Sequence, residues 1–302
     1  MRGHEPDHRD AAAMTQFIQL TVYGLANGAI LALAALGFVL IYKATRVINF
    51  AQGELLLVGA YAFYSAFVVL QLPAILAVAV AVIVAAALGV AIERLVLRPL
   101  LGEDPIAIIM VTIGLSAVLK AAVQVVYGTT PREMPKCLPR GSVDILGAIV
   151  PSDRLVAIAI AAVVLAAFSA FFRWSRHGVA MRAVADDPQA ALVQGISVTR
   201  ISALAWAMAA ASAVVGGVLI ADIAEVSQNL SGFGLVVFPV VILGGLDSVL
   251  GTIVGGVVIG LLSQYADSVS PGASQVVPYL VLVVILLVRP YGLFGQPRIE
   301  RV

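Results

Sequence analysis

The 302-residue chain is poor in charge: Asp, Glu, Lys and Arg make up 12% of it, against about 25% in an ordinary soluble domain. It has one cysteine, Cys137, which excludes an intramolecular disulfide and any cysteine-rich metal site. Its three histidines, His4, His8 and His177, are too few and too scattered for a zinc triad. A formal net charge of +1 gives no basic surface for nucleic acid. There is no G-x-x-x-x-G-K-[ST] run to cradle a nucleotide phosphate. In place of these, 61% of residues are hydrophobic and the mean hydropathy is +1.05. That excludes a water-soluble globular protein and specifies an all-α, polytopic membrane protein.

A bilayer core about 30 Å thick needs roughly 20 apolar residues per helix. The uncharged runs are continuous and rich in Ala, Leu and Val, without the period-two alternation of a membrane β-barrel. They predict nine spans, near 16–41, 47–70, 72–92, 106–127, 155–172, 201–223, 233–246, 249–265 and 275–288. An eight-span reading merges the short glycine-rich pieces over 233–265. If loop 173–200 is cytoplasmic, that side holds eleven Lys and Arg: Lys43, Arg46, Arg94, Arg98, Arg173, Arg176, Arg182, Arg200, Arg289, Arg298 and Arg301. The other side holds six, Arg2, Arg9, Arg132, Lys136, Arg140 and Arg154. This asymmetry predicts an outer N-terminus and an inner C-terminus. Residues 1–13 form a polar tail without the order of a cleavable signal peptide, and Met14 is an adequate alternative start. Residues 14–302 then read as one transmembrane domain.

Small residues dominate the spans. Gly24 and Gly28, and Gly251, Gly255, Gly256 and Gly260, have the spacing that lets helix backbones approach closely. Polar groups at membrane depth are more informative. Asn49, Gln52 and Glu54 open the second span, with Gly53 between them as a candidate helix break. A carboxyl group in lipid faces a cavity or a partner, or snorkels to the interface; here Glu54 either lines a passage or reaches toward Arg46. Thr112 and Ser116 share a face of the fourth span and are candidates for the same passage, or bond back to their own helix. Gly244, Gly245 and Asp247 interrupt a later apolar run, as the broken helices of transporters do. In the long loop, Asp186 reads as an N-cap, Asp187 and Pro188 as a first turn and Gly195 as C′, which bounds a short helix over 187–194. Such a helix is marginal alone and needs something to dock on; Ala190, Ala191 and Leu192 offer a face of little bulk.

The run Ala185–Gly195, with its A-A-x-x-x-G ending, resembles the coupling segment by which importer permeases engage an ATPase. Further motifs agree. Gly24-x-x-x-Gly28, Leu33-Ala-Ala-Leu-Gly37, Ile48-Asn-Phe-Ala-Gln-Gly-Glu54 and Gly59-Ala-Tyr61 resemble the permeases of branched-chain amino-acid ABC importers. So do Arg98-Pro-Leu100, Thr112-Ile-Gly114, Gly178-x-x-x-Arg182-Ala-Val184, Leu243-Gly-Gly-Leu-Asp-Ser248 and Arg289-Pro-Tyr-Gly-Leu-Phe-Gly295, in matching order over residues 15–300. Gln52 stands where many relatives have His. The resemblance implies a non-enzymatic inner-membrane permease with no cofactor. It also implies a second homologous permease, two cytoplasmic ATPases and a periplasmic binding protein, with Arg182, Asp186, Asp187, Pro188, Ala190, Ala191 and Gly195 at the ATPase. Urea and short-amide permeases share these motifs, so the cargo stays open between the two. An ion-coupled transporter would need more intramembrane acids than Glu54, and an intramembrane enzyme a His–Glu or Ser–Lys pair that is not apparent.

Overall fold

The computed structural model describes residues 6–100 and 102–295, with side chains from Ala13 onward. Arg2, His4, Arg298 and Arg301 therefore lie outside the described residues, as do the side chains of His8 and Arg9. Helix α1, Pro6–Thr45, is the axis of the molecule. Of its most apolar stretch 89% is buried, against 17% for α4, Pro105–Tyr127, which is peripheral. Beside α1 lie α2 (Gln52–Tyr64, continued as a π-helical turn to Val69) and α5 (Ser152–Trp174), while α3 (Ala74–Ile92) packs on α2 and on a later core helix. The loop between α4 and α5 carries a small hairpin, β1 (Ser142–Ile145) with β2 (Ala148–Pro151).

After α5 the chain forms two short helices, α6 (Arg176–Asp186) and α7 (Pro188–Val193), before α8 (Val198–Ile223) returns through the core. A 3-10 turn over Gln228–Gly232 leads into α9 (Phe233–Gly244), followed by α10 (Val249–Val269) and α11 (Ala273–Val288). Seven of these helices are long and apolar enough to cross a membrane. The other two expected spans correspond to shorter apolar helices, Gln228–Gly244 and Ala273–Val288. The merged element of the eight-span reading is two helices, α9 and α10, which fold back on each other. Gly245 makes that turn with φ 107, a conformation that L side chains rarely adopt.

Glycine sets the closest approach. A β-carbon on Gly24 would fall 2.9 Å from the Leu261 α-carbon, and one on Gly28 would fall 2.7 Å from the Gly256 carbonyl oxygen. These pairs run in opposite directions along α1 and α10, so the two helices are antiparallel and in backbone contact. Gly59 meets Val214 on α8 in the same way, and Gly217 on α8 meets Leu56. The result is a dense α1–α8–α10 block, with α2 packed on α8.

Candidate functional site

Helix α1 ends at Thr45, and Arg46 just beyond takes φ 57, its N–H donating to the Tyr42 carbonyl. The chain then turns back alongside α1 as non-helical backbone before α2 begins at Gln52. The Gln52 side chain donates to the Ala34 carbonyl at 3.3 Å, a level about 16 Å up α1 from Thr45 at 1.5 Å per residue. Helix α2 therefore starts deep in the bundle. Segment 46–51 is the interruption, and Gly53 lies within the first turn of α2 just beyond it.

Irregular backbone at such depth needs internal partners, and the polar side chains supply them. Asn49 Oδ1 accepts from the Ala51 N–H at 3.0 Å, and Asn49 Nδ2 donates to Gln52 Oε1 at 3.4 Å. From α4, Thr112 Oγ1 accepts from the Phe50 N–H at 3.3 Å and donates to the Ile109 carbonyl at 2.9 Å, with the Ile48 carbonyl 3.4 Å away. One turn further along α4, Ser116 is the polar partner of Glu54, and Lys120 acts on the same carboxyl group. Asn49, Gln52, Glu54 and Thr112 are all buried. Thr112 and Ser116 of α4 thus meet the Ile48–Glu54 stretch along one seam, whereas the Gln52 side chain turns to the opposite side, toward α1. Arg46 is engaged elsewhere, its Nε donating to the Ala185 carbonyl at 3.1 Å.

A second interruption meets the first. The 3-10 turn before α9 brings Gly234 against Gly53, so that a β-carbon on Gly53 would fall 2.8 Å from the Gly234 α-carbon. Two helix N-termini, from opposite halves of the chain, abut inside the bundle. Neither has a side-chain cap. Gly244, Gly245 and Asp247 are not part of this junction. They form the α9–α10 turn at the basic end of α1, where Lys43 Nζ donates to the Asp247 carbonyl at 3.0 Å.

The seam continues to the opposite end through residues that the sequence did not assign to the passage. Ser65 and Tyr127 hydroxyls are 2.5 Å apart, and the Tyr61 and Tyr127 rings are 4.6 Å apart. Arg132 donates to the Tyr127 carbonyl at 2.8 Å and covers the Tyr64 ring. Tyr61 Oη, Arg132 Nε and Gln228 Oε1 are buried here without a closed hydrogen bond. The aromatic spacing Tyr61–Tyr64 with Tyr127 was visible in the sequence, but nothing in it joins α2 to α4. Beside this end, buried Asp222 clamps the loop: its Oδ1 accepts from the Cys137 N–H at 2.5 Å and the Leu138 N–H at 3.3 Å. Burial, with Asp222 beside it, pushes the Cys137 thiol up to about 11.

At the basic end, the α6–α7 corner departs from the expected capping. Asp186 closes α6, and Asp187 is the N-cap of α7, its Oδ1 accepting from the N–H groups of Gln189 (2.9 Å) and Ala190 (3.0 Å). Pro188 fills the first helical position. Gly195 takes φ 80, and the Ile196 N–H returns to the Ala191 carbonyl at 2.9 Å. Ala191 faces inward and is buried, whereas Ala190, Leu192 and Val193 are exposed, Val193 at 86%. Ala191 is thus not on the open face, because the helix needs one apolar contact to seat it on its own chain. Arg182 donates to the Phe172 carbonyl, tying α6 to α5.

Residues 20–286 match the family described as branched-chain amino acid transport system, permease component. The chain belongs to this family. The high-affinity branched-chain amino acid transport system permease protein LivH of Salmonella typhimurium is 31% identical over 301 residues, covering 95% of this chain and 98% of the relative. BraD of Pseudomonas aeruginosa, of the same description, is 31% identical with the same coverage, and LivH of Escherichia coli is 30% identical. Among solved structures, PsaBC from Streptococcus pneumoniae in complex with Fab shares the fold, with a TM-score of 0.50 at 12% identity over 94% of this chain and 96% of that one. As a member of this permease family the chain is an all-α, multi-pass transport protein of the inner membrane.

Proposed function

We propose that residues 14–302 form the translocating permease of an ATP-binding-cassette importer for branched-chain amino acids. The observation that carries this reading is the junction of α2 and α9: the N-terminus of α2, without a side-chain cap, abuts the start of α9 inside the bundle, beside buried Asn49, Gln52, Glu54 and Thr112. The N–H groups of the first turn of α2 and the dipole of that helix favour a carboxylate, and interrupted helices place such groups at membrane depth in transporters. The rest of the seam offers few ionic groups, which suits a cargo with an apolar side chain. Energy comes from two separate cytoplasmic ATPases seated on loop 173–200, through the exposed face of α7 together with Asp187, Pro188 and Gly195. A second homologous permease completes the pathway, and a periplasmic binding protein selects the cargo.

The test is reconstitution of the permease pair with its ATPases and binding protein in proteoliposomes. ATP-dependent accumulation of labelled leucine, isoleucine or valine is the expected result. Accumulation of urea or a short amide, with none of leucine, refutes the cargo assignment. Accumulation without an ATPase refutes the energy source.

A further inference from the structure

At the basic end of the bundle, the last turns of α1 and α5 and the α9–α10 turn enclose a cavity of about 660 Å³. Four cations line it: Lys43, Arg46, Arg173 and Arg182. Among the described residues none of them has a carboxylate oxygen within 4 Å; the one such pair is Arg98 with Glu93. Instead they rest on neutral groups. Lys43 donates to the Asp247 carbonyl, Arg46 to that of Ala185 and Arg182 to that of Phe172, and Arg173 lies over the Trp174 ring. Asp186 and Asp247 also line the cavity and offset two charges, which leaves a net of +2. Ser169 adds a buried hydroxyl with no hydrogen-bond partner.

A net-positive cluster whose cations are not paired with a carboxylate, beside a free hydroxyl, describes an anion site. Its setting narrows the anion. The rim carries Trp174, 76% exposed, together with exposed Leu250 and Phe294, an apolar and aromatic edge of the kind that sits at a membrane–water interface. By the lysine and arginine asymmetry this interface is the cytoplasmic one, where anionic lipids give the leaflet a negative potential. We propose that this cavity binds the phosphate headgroup of an anionic inner-leaflet phospholipid, its acyl chains lying against the Trp174–Leu250 edge. A soluble phosphate would satisfy the same cations but leaves that edge without a role. Because Arg182, Ala185 and Asp186 belong to α6, just before the short helix α7, a bound headgroup braces α5 and α6 at the base of the loop proposed to meet the ATPase. The inference rests on sidedness and the cavity, not on the identity of the cargo.

The experiment is native mass spectrometry of the full-length protein in detergent, titrated separately with phosphatidylglycerol, phosphatidylcholine and inorganic phosphate. The wild type is expected to retain phosphatidylglycerol at least tenfold more tightly than phosphatidylcholine. The double variant K43Q/R173Q removes charge, and Ala170→Trp fills the cavity without touching charge; both are expected to lose that preference at unchanged helix content. Two cations near a charged surface account for a loss of more than tenfold. Equal retention of the two lipids by the wild type overturns the proposal. So does a preference that survives in both variants. Inorganic phosphate at millimolar concentration displacing the lipid and binding in its place overturns the lipid assignment in favour of a soluble anion.

Discussion

Glu54→Leu separates a working carboxyl group from a structural one. Glu54 is 6% exposed, lies in the first turn of α2 and has Ser116 as its polar partner. Removing an acidic group from membrane depth relieves a cost of about 3 kcal/mol on the insertion scale. Against this stand a hydrogen bond from Ser116, about 1.5 kcal/mol for a charged acceptor, and the favourable end of the α2 dipole, about 1 kcal/mol. The terms nearly cancel, so the variant should insert and unfold within about 1 kcal/mol of the wild type. Leucine uptake in proteoliposomes should nonetheless fall at least tenfold, the loss expected when a group lining the passage disappears. Glu54→Gln keeps the hydrogen bond without the charge, and its uptake shows which property matters. Normal uptake by Glu54→Leu refutes a passage role. A destabilisation of about 3 kcal/mol or more shows instead that the carboxyl group holds α2 to α4.

Gly256→Val should separate α1 from α10, since a β-carbon there already meets Ala32 at 2.8 Å; the expected cost is about 3 kcal/mol in thermal unfolding, and an unchanged transition contradicts the backbone contact. On α7, Val193→Asp should leave folding intact and abolish co-purification with the ATPase, whereas Ala191→Glu should disturb the seating of α7 on its own chain; a fully coupled Val193→Asp transporter dismisses α7 as the docking element. For Cys137, a thiol pushed up to about 11 is almost wholly protonated at pH 8, so maleimide labelling should run about ten- to a hundredfold slower than in the unfolded chain and accelerate as pH rises toward 11. Equal rates at pH 8 would mean that Cys137 is not held beside Asp222.

The sequence disclosed what depends on composition and local spacing. The apolar runs gave the all-α membrane class, and Gly24, Gly28, Gly256 and Gly260 marked a close helix contact because four-residue spacing puts them on one face. Thr112 and Ser116 were legible as one face of α4 for the same reason. Their partner was not, since no local pattern shows that this face lies on Asn49–Glu54. The capping of α7 was displaced by one residue, because Asp186 and Asp187 are equally good caps in sequence and only the continuation of α6 through Asp186 decides between them. Tyr61, Arg132 and Gln228 come from three elements, and only the fold brings them together.

The same limit separates the glycine-rich turn at the end of the bundle from the interruption inside it. Gly244, Gly245 and Asp247 carry the stronger turn signal, a glycine pair with an acid two residues on, and that signal is correct for a tight turn at the end of the bundle, where Gly245 takes φ 107. The interruption inside the bundle lies instead over Gln228–Gly232, whose sequence looks like an ordinary polar connection. What marks it is a relationship: Gly234 is the residue on which Gly53 rests, and each needs the other to lack a side chain. A β-carbon at either position would push the N-terminus of α9 away from that of α2. It would leave the helices themselves intact. Paired glycines of this kind therefore report on the position of a junction, and single-site substitutions there, Gly53→Ala against Gly234→Ala, act on the same gap from its two sides.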